Sequence, residues 1–118
     1  MAAQTSLVGS VYEITGLAET KKTIAASTID LSLGNYFTRT VGASETVTFT
    51  ISNTPADGTA VAFILDLTNG GAGTVNFWGV KWAGGTAPIL TASGRDVLVF
   101  FTHNGGTIWS GVCNKDFK

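Results

Sequence analysis

The sequence predicts an all-β domain, a jelly-roll-like sandwich or a barrel, with an extended N-terminal arm. Apolar residues alternate with polar ones from Thr28 onward, and no stretch shows sustained helical periodicity. Turn clusters rich in Gly, Asn and Pro recur about every 8–12 residues, which predicts about seven strands. A chain of 118 residues is long enough for one domain with one apolar core.

The first half of the predicted domain contains three strands with one buried face each. Residues 28–33 alternate between apolar and polar side chains, and the following Gly34-Asn35 pair is typical of a turn between hairpin strands. Residues 36–41 form the next predicted strand. Residues 46–52 show the cleanest alternation, because threonine and serine occupy the exposed positions and have good strand propensity without charge.

The second half contains the more apolar strands. Residues 60–68 are apolar on both faces, and residues 74–82 form a strand that ends on a tryptophan. Residues 95–102 include five successive apolar residues, Val97 to Phe101, which predicts a central strand buried on both faces. The turn Asn104–Gly106 leads into the last strand, residues 107–113.

Residues 1–27 are interpreted as an arm and residues 28–118 as the β-sandwich domain. Residues 6–15 alternate loosely, as a strand does, and residues 16–24 suit a short helical turn or a linker. The arm has too little apolar surface to fold alone, so it is expected to dock on the domain or on a neighbouring chain. Leu7, Val11 and Tyr12 are therefore candidate partner-contact residues.

Composition narrows the classes of function. Charged residues make up 13% of the chain, against about 25% in an average globular domain. A surface with so few charges suits burial by partners, and it equally suits a threonine-rich β-protein surface. The net charge of −1 and the single basic pair, Lys21-Lys22, argue against nucleic-acid binding. No apolar run approaches the roughly 18 residues of a membrane helix, and the N-terminus lacks the pattern of a signal peptide.

The residues that catalysis or metal binding would need are scarce. The chain has one histidine, His103 in a turn, and one cysteine, Cys113 near a strand end, and a dyad of the two would lack an acid partner and an oxyanion hole. A pair of catalytic carboxylates, Asp66 with Asp96, is weighed against an ion pair of Asp66 with Arg95, and the ion pair is preferred. The sequence therefore predicts no catalytic residue, no cofactor, no metal and no enzymatic activity.

Aromatic residues and loop tips remain as candidate contact points. Trp82 and Trp109 are assigned to the core or to a subunit contact, since large aromatics usually fill the core of a small domain. Trp78, beside Phe77 and Gly79, is the best candidate for an exposed aromatic that contacts a partner or stacks on a sugar ring. Asn104, at the tip of the last hairpin, is the remaining candidate partner-contact residue.

Three stretches together resemble a domain found in tailed-phage structural proteins, often at the C-terminus of tail fibres or minor tail proteins. They are IDLSLGNYFTRTV (residues 29–41), TVTFTISNTPADGTAVAFILDLT (residues 46–68) and VKWAGGTAPILTASGRDVLVFFTHNGGTIWSG (residues 80–111). The resemblance implies an antiparallel β-sandwich, homotrimeric, on the virion surface and without enzymatic activity. His103-Asn104 stands where the family commonly has acidic residues.

The short arm before Thr28, in place of a long fibre shaft, favours a small trimeric capsid decoration (cement) protein that stabilises the phage head. The alternative is a tail-fibre or tail-tip domain that binds a host receptor glycan. The expected partners are other copies of the chain and the major capsid protein or tail proteins, with a host surface glycan in the alternative. The expected location is the virion, after assembly in the host cytoplasm.

Overall fold

A computed structural model describes residues 18–118, which form ten strands and two short 3-10 turns, Gly70–Ala72 and Ala83–Gly85. The predicted all-β class is confirmed for this part of the chain. The strands are β1 Lys21–Thr23, β2 Thr28–Asp30, β3 Tyr36–Thr40, β4 Thr46–Thr48, β5 Thr50–Ser52, β6 Val61–Thr68, β7 Thr74–Asn76, β8 Val80–Trp82, β9 Arg95–Thr102 and β10 Trp109–Phe117.

Six strands form one mixed sheet in the order β1-β3-β6-β9-β10-β8. Strand β9 is antiparallel to both of its neighbours, β6 and β10. The pairs β1/β3, β3/β6 and β8/β10 are parallel. The pairing is thus mixed, where the sequence predicts antiparallel pairing throughout.

The difference arises because two predicted hairpin turns do not join paired strands. Strand β2 pairs with β5 and β4 pairs with β7, as two short parallel pairs apart from the large sheet. Residues 41–60 therefore leave the large sheet after β3, form β4 and β5, and return as β6. A connection of more than a dozen residues allows β3 and β6 to run parallel.

Part of the predicted arm belongs to the large sheet. Residues 21–23, which the sequence places in the arm and in a helical turn or linker, form the edge strand β1 alongside β3. Ile24 follows with its side chain in the core, and its backbone N–H donates to the Thr38 carbonyl at 2.9 Å. Within residues 18–118, the large sheet therefore begins at Lys21.

The core lies between the large sheet and the two short pairs. Phe63 and Phe100, paired across β6 and β9, have ring centroids 5.3 Å apart. Trp109 and Phe37 both pack on Phe63, with ring centroids 5.4 Å and 5.8 Å from the Phe63 centroid. From the short pairs, the buried side chains in the same cluster are Ile29, Val47 and Phe49.

An ion pair between a buried arginine and a partly exposed glutamate fixes the turn after β3. Arg39 lies on the core face of β3, and its Nη2 donates to Glu45 Oε2 at 2.8 Å while its Nε donates to the Ala26 carbonyl at 3.1 Å. Glu45 Oε1 also accepts from the Gly42 backbone N–H at 2.8 Å. The hydrogen bonds from Arg39 and Gly42 lower the pKa of Glu45 to about 2.

A buried carboxylate, Asp96, ties three segments together. It is completely buried, and it accepts from the backbone N–H and the hydroxyl of Thr91, each at 2.7 Å, and from the Asp116 N–H at 2.9 Å. Burial alone raises the pKa of Asp96, but these hydrogen bonds outweigh it and hold the pKa below the ordinary 3.8. A buried carboxylate with three donors is a strong anchor for the loop before β9 and for the end of β10.

Because both carboxylates have lowered pKa values in the folded state, their contribution to stability is present above about pH 5 and is lost as the pH falls through the folded pKa values. We expect the free energy of unfolding to be flat from neutral pH to about pH 5 and to decrease below about pH 4. Urea unfolding across this range measures it. Asp96→Asn and Glu45→Gln should each lower the stability at neutral pH and flatten the acid decrease. An acid decrease identical to that of the parent protein in both variants would contradict this assignment.

Candidate functional site

The face of the large sheet opposite the core is the candidate functional site, and we call it the outer face. Side chains of a strand alternate between the two faces, so an apolar run on β9 must supply both. Leu98 and Phe100 point into the core, and Val97, Val99 and Phe101 lie on the outer face. The outer face is defined by Ala62, Ile64, Val97, Val99, Phe101 and Val112.

Strand register aligns these side chains in two apolar rows. Ile64 of β6, Val99 of β9 and Val112 of β10 are directly paired, and Ala62 pairs with Phe101 in the next row. Phe101 is 45% exposed and Val112 is 39% exposed. The predicted burial of β9 on both faces is therefore not met within residues 18–118.

A polar network borders one end of the outer face. The hydroxyl of Tyr36 and the guanidinium of Arg95 both donate to Asp66 Oδ2, at 2.7 and 2.9 Å. The hydrogen bond to Asp66 raises the pKa of Tyr36 above its ordinary value. The guanidinium also lies 5.5 Å from the centroid of the Phe117 ring. The preferred pairing of Asp66 with Arg95 is confirmed, and this carboxylate is engaged by both neighbours.

A shallow depression lies at the other end of the outer face. Its volume is about 180 Å³, and Ala62, Ile64 and Val99 line it together with Phe63. Glu19 and Asn35 complete its rim. The first described residues of the chain therefore lie beside the two apolar rows.

The candidate partner-contact residues have different outcomes. Leu7, Val11 and Tyr12 lie outside the described residues. Trp78 is half-buried, and its ring centroid lies 4.7 Å from that of Phe100 and 6.0 Å from those of Phe63 and Trp109. Trp78 thus packs against the core cluster, where the sequence predicts an exposed aromatic.

An open cleft of about 360 Å³ lies beside Trp78 and Trp109, and Thr50, Thr54, Thr107 and Gly106 also line it. The indole Nε1 of Trp78 is buried and has no hydrogen-bond partner among the described residues. The ring faces of Trp78 are largely taken up by aromatic packing, so its edge, rather than a free stacking surface, lines this cleft.

The Asn104 side chain stabilises the last hairpin. Its Oδ1 accepts from the Ile108 backbone N–H at 2.9 Å and from the Thr102 hydroxyl at 3.1 Å. The Thr102 hydroxyl in turn accepts from the Gly106 N–H at 3.0 Å. The Asn104 carbonyl oxygen is therefore committed to closing the β9–β10 turn, where a partner contact is predicted from its place at the tip.

The groups suited to catalysis have other surroundings. Burial, with the nearby Asp96 carboxylate, raises the pKa of the Cys113 thiol to about 11, so this cysteine is a thiol at neutral pH. Asp66 and Asp96 lie on opposite faces of the sheet and are each hydrogen-bonded within the fold. Residues 18–118 contain no group of three or more His, Cys, Asp or Glu side chains arranged to hold a metal ion.

The described part of the chain contains no helix with the length and hydrophobicity needed to span a membrane. Comparisons with known protein families, with curated proteins and with solved structures found no match.

Sequence reasoning did not single out the side chains that the outer face exposes most. Phe101 is included in the run assigned to the core or a subunit contact, and Val112 is not singled out at all. Phe101 directly follows Phe100 on one strand, and neighbouring residues of a strand point to opposite faces of the sheet. This adjacency is the sequence signal that could have identified Phe101. Val112 becomes recognisable only once its pairing with Val99 is known.

We expect Asn104→Ala to lower the free energy of unfolding by about 1–2 kcal/mol, because two donors lose their acceptor. Chemical unfolding of the purified protein measures the change. Asn114→Ala, an exposed position on β10, is the matched control and should change stability by less than about 0.5 kcal/mol. Equal stability of the two variants would mean that the Asn104 side chain is free to serve a partner.

Proposed function

We propose that this chain is a non-enzymatic structural protein of a phage particle. In this proposal the large sheet and the two short pairs form a β-sandwich, and the sandwich assembles as a homotrimer that decorates and stabilises the capsid. Its partners are other copies of itself and the major capsid protein. Its location is the virion, after assembly in the host cytoplasm.

The observation that carries the proposal is the apolar outer face. Its centre holds Ile64, Val99 and Val112 in one row, with Phe101 beside them and almost half exposed. Apolar side chains that lie side by side on a surface favour association, because removing their area from water is the main favourable term when proteins bind. Closed symmetric assembly is the common way in which one chain buries such a patch against copies of itself.

Two further properties support a structural role. Charged residues make up only 13% of the chain, and charge depletion is typical of the centres of protein interfaces. The two buried carboxylates of the described residues, Asp66 and Asp96, are hydrogen-bonded within the fold. The resemblance in residues 29–41, 46–68 and 80–111 connects this architecture with phage particles.

The alternative is a tail-fibre or tail-tip domain that binds a host glycan. The cleft beside Trp78 favours it, because three threonines and no charged side chain line the cleft together with Trp78, whose buried indole N–H has no partner among the described residues. The cleft is open and the indole faces are packed, so capsid decoration remains the first proposal.

The number of copies in purified particles separates the two roles. Decoration of a capsid requires hundreds of copies of the chain, whereas a tail location requires a few to some tens. Quantitative mass spectrometry of particles, scaled to the major capsid protein, measures the number. We expect hundreds, and a count in the lower range would reject decoration in favour of the tail.

The glycan alternative has its own test in Trp78→Phe, which removes the indole N–H and keeps an aromatic ring in the core. If the cleft binds the receptor, adsorption of particles to the host should drop at least tenfold. Trp82→Phe, which alters the core cluster away from the cleft, is the control. Adsorption that is unchanged in Trp78→Phe would remove the support for this alternative.

A further inference from the structure

We propose that residues 6–15 of one copy, which we call the arm segment, cover the outer face of a neighbouring copy. This inference rests on the proposed self-association and names the two surfaces that meet in it. The occupant of the outer face is thus a second copy of this chain, and its contribution is a short segment rather than a folded surface.

The size of the apolar patch favours a segment. From Val97 to Phe101 the patch is about 14 Å long, at about 3.4 Å per residue, and the three strands β6, β9 and β10 make it about 10 Å wide between backbones. A folded partner in a standard interface buries about 800 Å² on each side, which is far more than this patch offers. An extended segment of about five residues matches its length.

The arm segment is joined to the described chain near this place. Glu19, the second described residue, lines the same depression as Ile64 and Val99, so the described part of the chain begins beside the outer face. Seventeen residues can span up to about 60 Å when extended. That reach suffices for a neighbouring copy in a small closed oligomer.

The composition of the arm segment fits an apolar, uncharged surface. SLVGSVYEIT contains five apolar or aromatic residues and one charge, Glu13. They fall in both alternate sets, so either side of an extended segment has apolar side chains to bury. Docking on the same copy would use up the surface on which the proposed association depends, and we therefore assign the outer face to the neighbour's segment.

Two full-length variants test the two halves of the contact. Val11→Lys places a charge in the arm segment, and Phe101→Lys places one on the outer face at a position already 45% exposed. We expect each to weaken self-association at least tenfold in sedimentation equilibrium. Ile89→Lys, at a side chain that is 84% exposed and outside the outer face, is the matched control and should associate like the parent protein. Thermal unfolding of each variant establishes that it is folded.

Mixing the two variants is the decisive step. The Phe101→Lys chain keeps an intact arm segment and the Val11→Lys chain keeps an intact outer face, so an equimolar mixture should form heterodimers that neither variant forms alone. Mixtures without heterodimers would overturn the inference. So would a Val11→Lys chain that associates normally while Phe101→Lys does not, although the proposed self-association would then stand. A parent protein that is monomeric at high concentration would reject self-association itself.

Discussion

The cross-strand pair of Phe63 and Phe100 is the contact on which the rest of the fold depends. Their rings, 5.3 Å apart, join β6 and β9 at the centre of the large sheet, and Trp78 and Trp109 pack around them. The next strand accommodates this pair with glycine, because a Cβ at Gly111 would lie 3.0 Å from the Phe100 ring and 2.8 Å from Val80. Such aromatic pairs contribute about 0.5–1.5 kcal/mol beyond the area they bury.

Strand β9 contributes to the core with one of its faces and to the outer face with the other. Once Phe100 points inward, backbone geometry directs Val99 and Phe101 to the opposite face, and register brings Ile64 and Val112 beside them. In a domain with two apolar sheet faces, one layer of short strands can cover only one of them. The face that the described residues leave uncovered is therefore a consequence of how β6 and β9 are built, and its side chains are apolar where threonine would keep it polar.

The sequence predicts strand positions well because period-two alternation is local, and residues 36–40, 46–52 and 95–102 follow it closely. Pairing is not local. The turns at residues 34–35 and 42–44 change the direction of the chain, but their local sequence does not determine whether the next strand pairs within the same sheet. In the candidate site, the apolar run on β9 is visible in the sequence. Its exposure on one face is not, since exposure depends on what covers β6, β9 and β10.

The polar groups of the fold explain why the surface, rather than a pocket, is the candidate site. Asp96 holds Thr91 and the end of β10, and Asn104 closes the last hairpin. A carboxylate or amide that already satisfies several buried donors would leave them unpaired if it turned to a ligand, at a cost of about 1–3 kcal/mol for each. Apolar side chains have no hydrogen-bond partners to leave unpaired, and the hydrophobic effect is non-directional and grows with the area removed from water. A partner can therefore cover Phe101 and Val112 without leaving a buried polar group of the fold unpaired.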